Sequence, residues 1–183
     1  MCLLNANYNA FLFDYLLRNF LTQASIPTST FEQVASIPPH TYTPTLLDFI
    51  VPRVLELTYT AWDLQPFAQD VGYHGAPFRW DDERRFLMRC ELDALYFHLY
   101  QIPRADVEYI LNTFPIVKRK DEAAYGEFRT QRVILAMFDQ LAGLPFTAVP
   151  APKDASATYA VPDVSAWQTW LNPAPASADV AHP

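Results

Sequence analysis

The chain has 183 residues and a mass of 20.9 kDa, with 51% hydrophobic and 18% charged residues. This length allows one domain of ordinary size and excludes an enzyme built from two large catalytic lobes. Sixteen prolines against four widely spaced glycines also exclude a glycine-rich phosphate-binding loop. The net charge of −7 argues against a protein that coats nucleic acid by bulk attraction.

The first 44 residues combine one helical pattern with one irregular stretch. Residues 7–21 repeat apolar side chains at helical spacing, which predicts a short amphipathic helix. Residues 22–44 lose this period and contain several prolines, so they predict a loop with room for one short strand. The helical pattern resumes at residue 45, and Pro52 either kinks that helix or lies in the first turn of a second one.

The clearest helical pattern spans residues 81–100. Asp81, Asp82 and Glu83 lie in its first turn, where the helix dipole favours acidic side chains. Successive helical positions point in different directions, so the three carboxylates cannot all bind one metal ion. Apolar residues cover two opposite faces, which predicts a central helix. The polar seams between them are predicted to pair Arg89 with Asp93 and to place Glu91 beside His98. For His98, a core histidine is favoured over a proton-transfer pair.

Two more helices are predicted, over residues 105–113 and 121–142, with Gly143 ending the second. The fold class is therefore mainly α, and a Pro- and Ala-rich tail follows at residues 144–183. We expect much of this tail to be disordered, with a turn at residues 166–171 that docks through Trp167 and Trp170 on this chain or on a partner.

Metal and membrane chemistry are not predicted. The four histidines are far apart and the two cysteines are isolated, so neither a metal site nor a disulfide is expected. The apolar runs are too short to cross a bilayer, and no basic flank marks a signal peptide at the start. These features predict a cytoplasmic chain without a membrane partner.

The dense source of positive charge lies in residues 79–132, which carry ten basic and ten acidic residues. Phosphate is the obvious ligand for such cations, but interleaved acidic residues make a solvated mixed-charge face the competing interpretation. Arg89 belongs to the same stretch of positive charge. The candidate DNA-binding residues are Lys118, Arg119, Lys120, Arg129, Arg132, Arg84 and Arg85.

Several segments resemble one protein family. They read FRWDDERRFL at residues 78–87, ELDALYFHLY at 91–100, DVEYIL at 106–111, TFPIVKRKD at 113–121 and PRVLELTYTAW at 52–62. These segments are similar to the C-terminal end of large adenine-specific DNA methyltransferases from restriction-modification and phage-defence systems. NAFLFDY at residues 9–15 is similar to the NSFxxDY segment of their target-recognition region. The resemblance covers about residues 7–142.

The resemblance implies a division of the chain. Residues 1–44 correspond to the end of the target-recognition region, residues 45–143 to a helical C-terminal module, and the tail is unmatched. The family's Gly-Gly turn is missing, because residues 19–25 contain no glycine. Its Asn-Pro-Pro-Tyr-type catalytic loop and its glycine-bearing loop for S-adenosylmethionine are also absent from the sequence.

The expected function follows from this partial resemblance. The chain is expected to be a detached or truncated, non-catalytic segment that helps to position DNA, or that braces the recognition domain, for a catalytic portion encoded elsewhere. S-adenosylmethionine is the cofactor of the full-length family, and no cofactor is expected in this chain. Two alternatives stay open. One is a helical protein-interaction module that binds a missing partner through two exposed aromatic arms, at residues 11–20 and 167–170. The other is a remnant without independent activity.

Overall fold

The computed structural model describes residues 1–21 and 25–142, and the described part is mainly helical. The proposed tail with its docked turn, and Gly143, lie outside the described residues. The α-helices in this part are α1 (Cys2–Tyr8), α2 (Phe11–Phe20), α3 (Thr28–Phe31), α4 (Pro44–Thr58), α5 (Gln65–Asp70), α6 (Asp82–Leu99), α7 (Arg104–Asn112), α8 (Pro115–Tyr125) and α9 (Arg129–Leu141). Two 3₁₀ helices, Pro39–Thr41 and Trp62–Leu64, lie in the connections.

The central helix is α6, as its two apolar faces predicted. It packs against α9, α4 and α2, and ten of its residues between Leu87 and Phe97 are buried. The predicted role of the acidic residues at its start is confirmed, because the Asp81 side chain caps the helix by accepting from the Arg84 N–H at 2.9 Å. This burial makes α6 the element on which the other helices are assembled.

Two predicted helix boundaries are wrong. Residues 7–21 hold parts of two helices, because α1 ends at Tyr8 and α2 begins at Phe11. The final predicted helix is also two, since Gly126 adopts a left-handed conformation (φ 74°) that ends α8 before α9 starts. Because α8 begins at Pro115, Lys118, Arg119 and Lys120 lie inside it rather than ahead of a helix.

The chain is also helical around Pro52 and in part of residues 22–44. Pro52 lies within α4, which continues through it as one helix from Pro44 to Thr58. The described part of residues 22–44 contains α3 and a 3₁₀ helix and no strand. No helix in the described ranges is long and apolar enough to span a membrane.

The core connects the beginning of the chain with its later helices. Cys2, Ala6, Ala10 and Leu12 of the first two helices join one buried cluster with residues of α4, α6, α7 and α9. Tyr96 donates from its hydroxyl to the Leu3 carbonyl at 2.9 Å, which ties α6 to α1. Residues on both sides of position 44 thus share a core, and the three-part division of the chain stays a prediction.

Candidate functional site

A groove of about 980 Å³ lies on the side of α6 that faces α8. The first turns of α2 and α9 contribute to its lining, and the C-terminal part of α4 adds Leu57 and Thr58. Its lining contains four basic residues and four acidic ones. The basic residues are Arg85, Arg89, Lys120 and Arg129, and the acidic residues are Asp82, Glu83, Asp93 and Asp121.

Two of the four acids cap helices from outside. Asp93 of α6 accepts from the Phe11 N–H at 2.8 Å, at the start of α2. Asp121 of α8 accepts from the Thr130 N–H at 2.6 Å, at the start of α9. Each carboxylate therefore satisfies one of the backbone donors that a helix N-terminus leaves without an intrahelical partner.

The other two acids bind side chains. Asp82 accepts from the indole N–H of Trp80 at 2.7 Å, and Glu83 forms an ion pair with Arg129. The Arg129 guanidinium also lies over the rings of Phe86 and Tyr125, at 4.4 and 4.7 Å from their centroids. All four acids of the groove thus have partners within the fold.

The basic residues of the groove fall into two classes. Arg85 donates to the Leu57 carbonyl at 2.9 Å and lies 3.7 Å from the Trp80 ring centroid, and Arg129 is held by Glu83. Arg89 and Lys120 are exposed, and neither forms a hydrogen bond or an ion pair with the residues that the structure describes. Arg89 and Lys120 therefore carry the uncommitted positive charge of the groove, that is, the charge that no hydrogen bond or ion pair with a described residue engages.

Asp93 is a buried acid of this groove. Burial raises the pKa of its carboxyl to about 7, against the opposing effects of the Phe11 N–H bond and the nearby Arg89 charge. No hydrogen bond or ion pair among the described residues joins Arg89 to Asp93, so the predicted seam places the two on one side of α6 without pairing them. In the second predicted seam, Glu91 binds Arg53 of α4, and the His98 Nε2 lies 2.8 Å from the Phe138 carbonyl.

The seven candidate DNA-binding residues do not form one surface. Arg84 binds Glu56 of α4 through two hydrogen bonds of 2.5 and 2.8 Å, and Arg85 donates to α4 carbonyls, so both hold α6 against α4. Arg129 pairs with Glu83 inside the groove. Arg132 pairs with Glu127 at 2.9 Å where both side chains are exposed.

The three residues of the Lys-Arg-Lys run point in different directions around α8. Lys120 lines the groove, and Arg119 is exposed and donates to the Pro115 carbonyl one turn earlier at 3.3 Å. Lys118 is half-buried and has no ion pair with a described residue. Their role in binding DNA stays a prediction.

Sequence reasoning counted Arg89 in the dense source of positive charge, but it selected neither Arg89 nor Asp93 for the site. The spacing of four positions between them showed that they share one side of α6, but it carried no information about α8. Within the described ranges, no group of three His, Cys, Asp or Glu side chains is placed to hold a metal ion. No protein-family model, curated protein or solved structure matches this chain.

Proposed function

We propose that this chain is a non-catalytic segment of a restriction-type N6-adenine DNA methyltransferase, and that it helps to position DNA for the catalytic portion. The observation that carries the proposal is the uncommitted positive charge of α8, where Arg119 and Lys120 are exposed and pair with no described carboxylate. Such cations contact backbone phosphates and fix the position of a duplex without reading its sequence.

The resemblance of residues 7–142 to the C-terminal end of this methyltransferase family supports the same proposal. It supplies the substrate class, DNA, and the cofactor of the full-length family, S-adenosylmethionine. The sequence holds neither the Asn-Pro-Pro-Tyr-type loop nor the glycine-bearing loop, so the methyl transfer itself belongs to another portion.

A salt titration of DNA binding tests this proposal. We expect the purified chain to bind a short duplex with an affinity that falls steeply with NaCl concentration. The variant Lys118→Ala, Arg119→Ala, Lys120→Ala is expected to lower the slope of log K against log[salt] by about 0.9 for each phosphate contact that is lost. Fluorescence anisotropy of a labelled duplex gives both values.

The control removes the same amount of charge elsewhere. Replacing Arg18, Arg79 and Arg104 by Gln changes three arginines outside α8, none of which lines the groove. We expect this variant to keep the slope of the unmodified chain. Full affinity in the α8 variant, or methyl transfer to DNA by the chain alone, would contradict the proposal.

Exposed apolar side chains favour a second candidate, a protein-interaction module. Phe13 is buried and Phe11 packs against the Phe114 ring at 4.7 Å, so most of the first predicted arm belongs to the core. Exposed apolar side chains instead occur at Tyr109 and Ile116, on α7 and α8. A partner that binds there would do so with little dependence on salt, and this distinguishes it from DNA.

A further inference from the structure

The groove beside α6 has equal numbers of acidic and basic residues, but the acidic ones are engaged within the fold to a greater extent than the basic ones. It is neutral by count, yet each of its four carboxylates is used inside the fold: two cap α2 and α9, one binds Trp80 and one binds Arg129. Two of its four cations are used in the same way. The uncommitted charge in the groove is therefore positive, although the whole chain carries −7.

The two uncommitted cations come from different helices and face one space. Arg89 lies near the middle of α6 and Lys120 lies in the second turn of α8, and both line the groove. An arginine fork and a lysine point charge that line the same groove suit an anionic ligand there. Nothing in the described part of the chain supplies that anion.

We propose that Arg89 and Lys120 hold a phosphate group of the DNA backbone in this groove. The inference rests on the proposed function and assigns one contact within it. Exposed side chains line part of the groove, including Asn5 on α1 and Asn9 at its C-cap, so the groove is open to solvent. A continuous polyanion needs such an open groove, whereas a closed cavity would admit a small ligand alone.

The first experiment is a double-variant cycle on duplex binding. We expect Arg89→Gln and Lys120→Gln each to weaken binding of a labelled duplex about tenfold, as the loss of one charge-assisted contact would. Because both side chains hold one phosphate, the double variant should lose much less than the hundredfold that independent contacts would give. Arg104→Gln, which alters an exposed pair with Asp139 outside the groove, should stay within twofold.

Arg119→Gln separates this inference from the proposed function. Arg119 belongs to the proposed DNA-binding run, but it does not line the groove. If Arg119→Gln weakens duplex binding while Arg89→Gln leaves it unchanged, the groove assignment is wrong and the proposed function stands. If the unmodified chain binds no duplex at any salt concentration, the proposed function fails and the groove assignment fails with it.

A second experiment identifies the source of the phosphate. The Nε–Hε NMR signal of Arg89 is followed while the chain is titrated with the duplex, with inorganic phosphate and with a nucleoside monophosphate. We expect the signal to shift with the duplex at micromolar concentration, and with the small anions at far higher concentration. A shift that saturates at low concentration of the monophosphate, with none from the duplex, would overturn the assignment to DNA.

Discussion

The two sides of α6 differ in how their charges are used. On the side that faces α4, Arg53 binds Glu91 and Arg84 binds Glu56, so each helix contributes one acid and one base. On the side that faces α8, Arg89 and Lys120 have no such partner among the described residues. The same residue types therefore hold the fold together on one side and are available for an external ligand on the other.

On the α4 side, the charge of Arg53 is engaged by groups within the fold. The Arg53 Nε and Nη2 atoms lie 2.8 and 3.0 Å from the two Glu91 oxygens, and Arg53 also donates to the Phe49 carbonyl at 2.8 Å. The pairing runs from residue 53 to 91 and from 56 to 84, which fixes α4 and α6 as antiparallel neighbours. Replacing a buried pair of this kind by well-packed apolar residues is often neutral for stability, whereas removing one partner is costly.

The largest expected effect comes from breaking one of these buried pairs. Glu91→Ala should lower the free energy of unfolding by about 3–5 kcal/mol, because it leaves the Arg53 guanidinium buried without its carboxylate. The Glu91 side chain is 2% exposed, so water does not replace it. Urea unfolding followed by circular dichroism measures the change. The double variant Arg53→Met, Glu91→Leu should recover most of the loss, and a single-variant loss below 1 kcal/mol would contradict this account of the α4 side.

The next effect concerns Asp93, which lies on the groove side but is itself buried. Its folded-state pKa of about 7 lies above the ordinary value of 3.8, so the native chain retains a proton that the unfolded chain releases. The stability from this proton is complete below about pH 4 and is lost as the pH rises towards 7, by up to about 1.4 kcal/mol per pH unit.

Asp93→Asn tests this pH dependence. The amide oxygen still accepts from the Phe11 N–H, and the side chain no longer titrates. The difference in unfolding free energy between variant and unmodified chain, measured in urea at several pH values, should therefore change between pH 4 and 7 and stay constant above that range. A constant difference across the whole range would show that the carboxyl titrates near its ordinary pKa.

Local patterns of the sequence were sufficient for the central helix and not for its neighbours. The apolar residues of α6 recur on two faces, and the acids of its first turn marked its start, so its length and burial followed from residues within one segment. Glycine commonly ends a helix, but the break at Gly126 was missed because α8 buries no residue and its apolar pattern does not mark it as a helix separate from α9. A single residue with φ 74° redirected the chain.

The groove could not be predicted from the sequence, for a different reason. Arg84, Arg85 and Arg89 occur within six positions and look equivalent in composition, yet two of them bind α4 and the third faces α8. Which side of α6 each residue occupies follows from helical geometry, but the identity of the helix on that side depends on contacts distant in sequence. Glu56, the partner of Arg84, precedes it by 28 positions.

The smallest expected effect sharpens the contrast between the two sides of α6. Arg89→Gln and Lys120→Gln should each change the free energy of unfolding by less than about 0.5 kcal/mol, because exposed side chains without partners contribute little to stability. Differential scanning calorimetry and urea unfolding provide the measurement, and Arg84→Gln is the matched control from the same helix. That control should be far more destabilising, since it removes a charged partner of the buried Glu56. If Arg89→Gln proved as damaging as Arg84→Gln, its charge would serve the fold, and the groove would hold no cation free to bind a phosphate.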